Sequence, residues 1–343
     1  MWIFSKKEDF FIIYLPMIIL PFYFLLTPEI SGLKLITFFI LIQLFDVGHV
    51  YSTIWMTLFD KNEINSNKFS YITIPIIISV IFSLWLYFKI PYFWSFIAYF
   101  TLYHNFKQGY GIQRWYQKKH KRFCSISNKL FYFLNIIPII ILHFRNDVIP
   151  SFYTKNQDMI FQYKGSSISF LNMEFDNFIY LFLIIIYLST IILFIANELF
   201  IYIKNKKFET SRFLFTLSFS FMYGISFIYF TDFLKMASTI ILTHAFLYIY
   251  ILLKKLPILY PNKFKEKSIK LPVFLIITII LGSGFNYIIE SSLIDVSYHY
   301  LSKRISLLEI IFTLFYVIPT ICHFYWDSII WKNKHRFSKK IYS

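Results

Sequence analysis

What most constrains this chain is the recurrence of apolar runs about 20 residues long, separated by short basic connections. A helix of that length covers the roughly 30 Å hydrocarbon core of a bilayer. Hydrophobic residues make up 57% of the 343 residues and charged residues only 15%. One soluble core has no room for so many such runs. In hydrocarbon each backbone amide must be paired internally, and a helix does that within its own segment. The pattern therefore predicts an all-α, polytopic transmembrane helical bundle.

The runs place ten spans at 10–26, 34–57, 71–88, 91–116, 129–143, 177–203, 212–230, 234–253, 271–289 and 305–331. Several exceed a perpendicular crossing, so tilt or protruding ends are expected. No connection accommodates a soluble domain, and residues 1–343 read as a single integral-membrane helical domain. The longest connection, 144–176, contains Pro150 and a Gly-Ser-Ser turn at Gly165, Ser166 and Ser167. The N-terminal stretch MWIFSKKEDF lacks a small-residue cleavage site and reads as the lead into a retained first helix.

The net charge of +16 is carried between the apolar runs, and no nucleic-acid-binding motif accompanies it. The basic residues read as topology determinants and contacts for anionic lipid headgroups. With ten spans, most of the 34 Lys and Arg residues fall on one side: the N-terminus, the even-numbered connections and the C-terminus. The opposite side receives Lys34, Lys89, Arg145, Lys155, Lys164, Lys235, Lys303 and Arg304, and Lys107 lies inside span four. A missed or added helix would spoil this alternation, so both termini are expected in the cytoplasm. The expected location is a bacterial inner membrane, crossed many times. Cys124, in a basic loop, and Cys322, in the last run, are not expected to share a disulfide.

Four stretches carry ionisable groups into these runs: FDVGHVYSTIWMTLFD (45–60), YHNFKQGYG (103–111), THAFLYIY (243–250) and CHFYWDSIIWK (322–332). Such groups are costly in hydrocarbon and face a cavity, a partner or a site. All four lie on even spans, which run from outside to inside. From His49, His104, His244 and His323 to the first basic residue at the cytoplasmic end is about nine to twelve residues, or roughly 14–18 Å of helix. Four imidazoles are thus expected at one depth in the inner half of the membrane.

Each histidine has a polar companion on its own helical face, where residues three and four apart are neighbours. Asp46 precedes His49 by three, Gln108 follows His104 by four, Tyr248 follows His244 by four and Asp327 follows His323 by four. Helical bundles build metal sites from inward His and carboxylate side chains. Imidazole suits iron, zinc or copper, and a carboxylate can ligate or orient a ligating histidine. Taken singly, an intramembrane histidine is more simply a packing or proton-relay residue; the shared depth of four favours a common polar site. Glu198, six residues before Lys204, is a possible further ligand.

The other histidines read otherwise. His120 and His335 belong to basic segments and are expected solvated or lipid-facing, and His143 and His299 fall toward the outer side. Gly48, Gly109 and Gly111 read first as packing positions. Lys107 is expected to snorkel or to pair with an acid. Trp55, Trp115 and Trp331 read as interfacial anchors, Trp326 as a cavity-lining residue, and Asn286 and Glu290 as interfacial. No P-loop, Rossmann fingerprint, GxSxG elbow, HExxH helix or CxxC pair is present.

The stretches around His49, His104, His244 and His323 resemble, in general architecture, the membrane metal oxygenases: fatty-acid desaturases and hydroxylases, and the bacterial Brp/Blh-type carotene-cleaving proteins. The HxxxH and HxxHH boxes of desaturases are absent. The resemblance implies non-haem iron near the cytoplasmic face, dioxygen and a lipid-soluble substrate.

The leading expectation is a membrane-embedded, metal-dependent oxidoreductase acting on a lipid or isoprenoid substrate. His49, His104, His244 and His323 are the expected metal ligands, with Asp46 and Asp327 as ligands or orienters. Gln108 and Tyr248 are expected to hold water or a supporting hydrogen bond, and the metal is expected to be iron, as one or two ions. The expected partners are the bilayer, a lipophilic substrate and an electron donor, with no nucleic acid. Three alternatives stand beside it: a proton- or cation-coupled transporter using His–Asp pairs, a membrane acyl- or glycosyl-transferase with a histidine general base, and a b-type haem protein using two facing histidines.

Overall fold

A computed structural model describes residues 2–27, 43–53, 57–58, 60–90, 93–121, 123–145, 173–260, 307–331 and a few positions between 273 and 282. Among the described residues the chain is helical throughout, with no strand. Seven helices are long and apolar enough to cross a membrane: Lys6–Leu26 (α1), Phe69–Tyr87 (α4), Ser125–Leu142 (α6), Asn177–Asn205 within Met173–Asn205 (α7), Thr210–Tyr229 (α8), Lys235–Ile258 within Phe233–Leu259 (α9) and Ile310–Ile330 within Leu307–Ile330 (α10). They match seven of the ten expected spans and agree with an integral membrane protein.

The expected span 91–116 is also a helix, Phe93–Lys119 (α5), but it is not among the seven. Its middle carries His104, Asn105, Lys107 and Gln108, and these side chains cost it the apolar character of its neighbours. Expected spans 34–57 and 271–289 lie largely outside the described residues, as do Asn286, Glu290 and His299. Before α4 come two short pieces. A π-helical turn Gln43–Val47 runs into the α-helical turn Gly48–Ser52 (together α2), and Lys61–Ser66 forms α3.

The faces that these helices turn outward are apolar. On α4, Ile76, Val80 and Leu84 are about half exposed, and on α7 Leu181, Ile185, Leu188 and Ile192 likewise. A water-facing helix shows the opposite pattern, with charge on its outer face. Exposed apolar surface on this scale marks a lipid-facing or interaction surface. The side chains turned inward include many with hydroxyl, amide and carboxyl groups.

The chain divides into two compact units: one of Met1–Ser31, Tyr103–Lys155 and Phe161–His244, the other of Gly32–Leu102, Asn156–Ile160 and Ala245–Ser343. Helices α5 and α9 each contribute one part to each unit.

In the first unit α6 packs on α7 through Leu134, Ile137, Ile141, Tyr187 and Phe194. Rings from α6 and α8 then stack: Phe131 on Phe219 at 5.5 Å, and Phe219 on Tyr223 at 4.8 Å. Gly109 of α5 lies against this stack, so close that a Cβ there would sit 2.4 Å from the Phe219 ring. Among the described residues nothing lies within 4 Å of a Cβ built on Gly111, so none of them packs on it there. The start of α1 is tied down by buried Asp9, whose carboxylate accepts from Ile3 N at 2.8 Å, Phe4 N at 3.0 Å and the Tyr116 hydroxyl at 2.8 Å. Two backbone amides and one hydroxyl satisfy a carboxylate that burial would otherwise penalise.

Glu198 is not offered to a metal. It is buried, accepts from Ser127 Oγ at 2.7 Å and forms an ion pair with Arg212, whose Nε binds Glu209 at 2.7 Å. Arg212 is fully buried, so a cation counted from the sequence among the surface topology charges is spent inside the fold. His120 departs from a solvated reading too, since its Nε2 lies 3.0 Å from Ser211 Oγ. Burial lowers its pKa below 6.5; Glu209 opposes the shift. His143, just past α6, is lowered by burial. Among the described residues Lys107 meets no acid. Its ammonium lies 5.3–5.8 Å from the rings of Tyr103, Tyr110 and Tyr132, and it donates to the Tyr132 hydroxyl at 3.2 Å. Trp115 is buried rather than interfacial, edge-on to Phe4.

In the second unit α4 packs on α10 through Phe82, Leu86, Ile310, Val317 and Ile321. Trp326 pins α10 to the start of α4 by donating its indole N–H to the Ser70 carbonyl at 3.1 Å. Asp60 caps α3, accepting from the amides of Asn62 and Glu63 at 3.0 and 3.1 Å. Its second oxygen accepts from Tyr260 at 2.8 Å, which ties α3 to the end of α9. Cys124 and Cys322 are both free thiols.

Candidate metal centre

The polar groups that the four stretches carry come together as two imidazole pairs, one in each unit. In the first unit His104 of α5 and His244 of α9 are buried with ring centroids 5.0 Å apart and planes at 82°. Each ring offers a nitrogen within 4.8 Å of one on the other. Neighbouring Asn105 sets this approach. Its side-chain amide donates to the Ile240 carbonyl at 3.3 Å, and its oxygen accepts from the Tyr223 hydroxyl at 2.7 Å. One asparagine thereby joins α5 to both α9 and α8, one residue from His104.

Gln108 is drawn across this helix pair. The i,i+4 spacing puts it beside His104, but its Oε1 lies 2.6 Å from Nδ1 of His244. An amide oxygen can only accept, so Nδ1 of His244 is the donor in this contact. The amide nitrogen of Gln108 is buried and has no hydrogen-bond partner among the described residues.

In the second unit His49 of α2 and His323 of α10 are buried edge-on, with centroids 4.8 Å apart and planes at 84°. The Tyr248 ring covers both, 5.4 Å from each. Asp46, in the π-helical turn before His49, places Oδ1 3.5 Å from His49 Nδ1. π-Helical turns recur at functional sites. Asp327, one turn after His323, places Oδ2 3.8 Å from its Nε2 and accepts from the Tyr248 hydroxyl at 3.1 Å. Asp46 and Asp327 therefore each stand beside one histidine, as their spacing predicts.

Thr53 has no counterpart in the sequence reading. Its Oγ1 lies 2.6 Å from His323 Nδ1 and 2.7 Å from the Tyr248 hydroxyl. Threonine in an apolar helix usually bonds its own backbone, so residue type does not separate Thr53 from Thr57, which does donate to the carbonyl of Thr53 at 3.0 Å. Its position one turn after His49 was the available signal.

Four buried imidazoles, His49, His104, His244 and His323, thus provide a ligand set that can hold a metal ion. A haem between the members of one pair does not fit. Two axial metal–nitrogen bonds of about 2 Å hold ring centroids roughly 6 Å apart, against 4.8 and 5.0 Å here. Edge-on rings leave no slot for a macrocycle. Comparison with protein-family models, with curated proteins and with solved structures finds no match to this chain.

Proposed function

We propose that this protein is a membrane-embedded, metal-dependent oxidoreductase acting on a lipid or isoprenoid substrate, in which His49, His104, His244 and His323 hold one metal ion, taken to be iron. The observation that carries the reading is the acceptor behind the imidazoles. Gln108 takes the Nδ1 proton of His244 at 2.6 Å, and Thr53 stands 2.6 Å from Nδ1 of His323. A ligating histidine characteristically gives its other ring N–H to a fixed acceptor. A histidine used only for packing has no need of one that fixes its tautomer. The common depth of the four residues, from their spacing to the basic ends of their helices, supports a shared ion.

In this reading Asp46 and Asp327 orient ligands. The buried amide N–H of Gln108 serves as donor to an oxygen atom of the bound reactant. The metal, when bound, supplies activation of dioxygen, and the surrounding rings exclude bulk water. The apolar outer faces of α4 and α7 suit substrate entry from the bilayer. The proposal includes ten spans with both termini in the cytoplasm, an inner-membrane location and an external electron donor.

The test is metal analysis with optical spectroscopy on purified protein, for the wild type and for His49→Ala, His104→Ala, His244→Ala and His323→Ala. One metal equivalent in the wild type, lost from each folded variant, is the expected result. Metal-free wild type would overturn the reading. Variants that each keep half of the metal would replace the shared ion with two separate sites.

A further inference from the structure

We infer that Thr53 is a positioning residue for His323: its hydroxyl, backed by Tyr248 and Asp327, holds the ring proton on Nδ1 and leaves Nε2 as the ligating nitrogen. The purpose assigned here rests on the metal reading above; the hydrogen-bond order does not.

The order follows from counting protons along four groups. The Tyr248 hydroxyl donates to Asp327 Oδ1 at 3.1 Å, and it has one proton to give. At its 2.7 Å contact with Thr53 it can then only accept, so Thr53 is the donor there. Thr53 in turn has spent its proton, and at the 2.6 Å contact with His323 Nδ1 its oxygen accepts. Nδ1 must therefore carry the proton, and a neutral imidazole protonated on one nitrogen presents a lone pair on the other. Thr53, Tyr248 and His323 are all buried, so water does not replace a missing member. Asp327 Oδ1, which accepts from Tyr248, is the terminus that fixes the direction of the whole chain.

The two units solve the same problem with different chemistry. His244 meets a single amide oxygen from Gln108, and His323 meets a hydroxyl whose accepting role is imposed from beyond it. Valine in place of Thr53 keeps the shape and removes the acceptor. Serine keeps the acceptor.

The experiment is ¹⁵N NMR of histidine-labelled, metal-free full-length protein, with His323 assigned by its loss in His323→Gln, together with Co(II) titration. The expected result is His323 protonated on Nδ1 in wild type and Thr53→Ser, with that preference lost in Thr53→Val. Co(II) affinity should fall about 10–100-fold in Thr53→Val and return toward wild type in Thr53→Ser. Should Thr53→Val fail to fold, Tyr248→Phe removes the next hydroxyl in the same chain and gives the same readout. His323 protonated on Nε2 in the wild type, or a Thr53→Val spectrum identical to wild type, overturns the inference whatever the metal does. If the Nδ1 proton follows Thr53 as stated and Co(II) does not bind the wild type, the inference stands and the metal reading falls.

Discussion

Gln108 and His244 meet at 2.6 Å, amide oxygen to Nδ1, across two helices whose contact residues lie 136 positions apart in the chain. The bond fixes a tautomer, so its loss should be felt in ligation before stability. Gln108→Leu is expected to lower metal affinity about 10–100-fold. Gln108→Glu, which keeps an acceptor at the same reach, should retain most of it. Competition titration against a chelator of known affinity measures both.

Gly109 should tolerate no side chain. Its neighbour, the Phe219 ring, is held between Phe131 at 5.5 Å and Tyr223 at 4.8 Å and cannot swing aside. Gly109→Ala is expected to destabilise the fold by about 1–3 kcal/mol, the usual cost of overpacking. Gly111→Ala, on the same helix with open space around it among the described residues, should be neutral or stabilising by up to about 1 kcal/mol. Thermal unfolding of the two variants in one detergent makes the comparison.

Arg212 is the cation paired with two buried carboxylates, Glu198 and Glu209, and removing it alone takes its charge away from both. Arg212→Met should cost about 3–5 kcal/mol. The triple variant Arg212→Met, Glu198→Gln, Glu209→Gln should recover much of that loss, because no bare charge remains. Denaturant unfolding of the single and triple variants decides it; equal stability of the two would show that charge burial is not the cause.

The lowered pKa of His120 has a definite sign for stability. Its folded pKa is below 6.5, so as pH falls through 6.5 the unfolded chain takes up the proton first and unfolding is favoured. The penalty grows until the pH reaches the folded value and is absent above 6.5. The melting temperature should therefore fall on acidification below that point, and less steeply in His120→Gln, which can still bond Ser211. A slope unchanged in the variant would assign the pH dependence elsewhere.

How far the sequence alone carried can be judged residue by residue. Apolar run length is a local property that the bilayer dimension converts directly into helices, and seven spans appear where they were expected. α5 shows the limit: the side chains that make it a site helix also dilute its apolar signal, although its length of 27 residues persists. The i,i+3 and i,i+4 placement of Asp46 beside His49 and Asp327 beside His323 was legible because helical spacing fixes neighbours on one face.

Only the tertiary structure decided which groups meet across helices. Rotation about each helix axis leaves no trace in spacing, so Gln108 could be placed on the face of His104 but not against His244. Glu198 and Arg212 show the same blindness in charge: read separately they are a ligand candidate and a topology cation, and together they are a buried ion pair. Thr53 is the sharpest case. A hydroxyl in an apolar helix satisfies itself on its own backbone unless a partner from another helix arrives, and at this position His323 and Tyr248 both do. The sequence set the expectation that four imidazoles share a depth. The packing of their helices decided which group stands behind Nδ1 of two of them, Gln108 at His244 and Thr53 at His323.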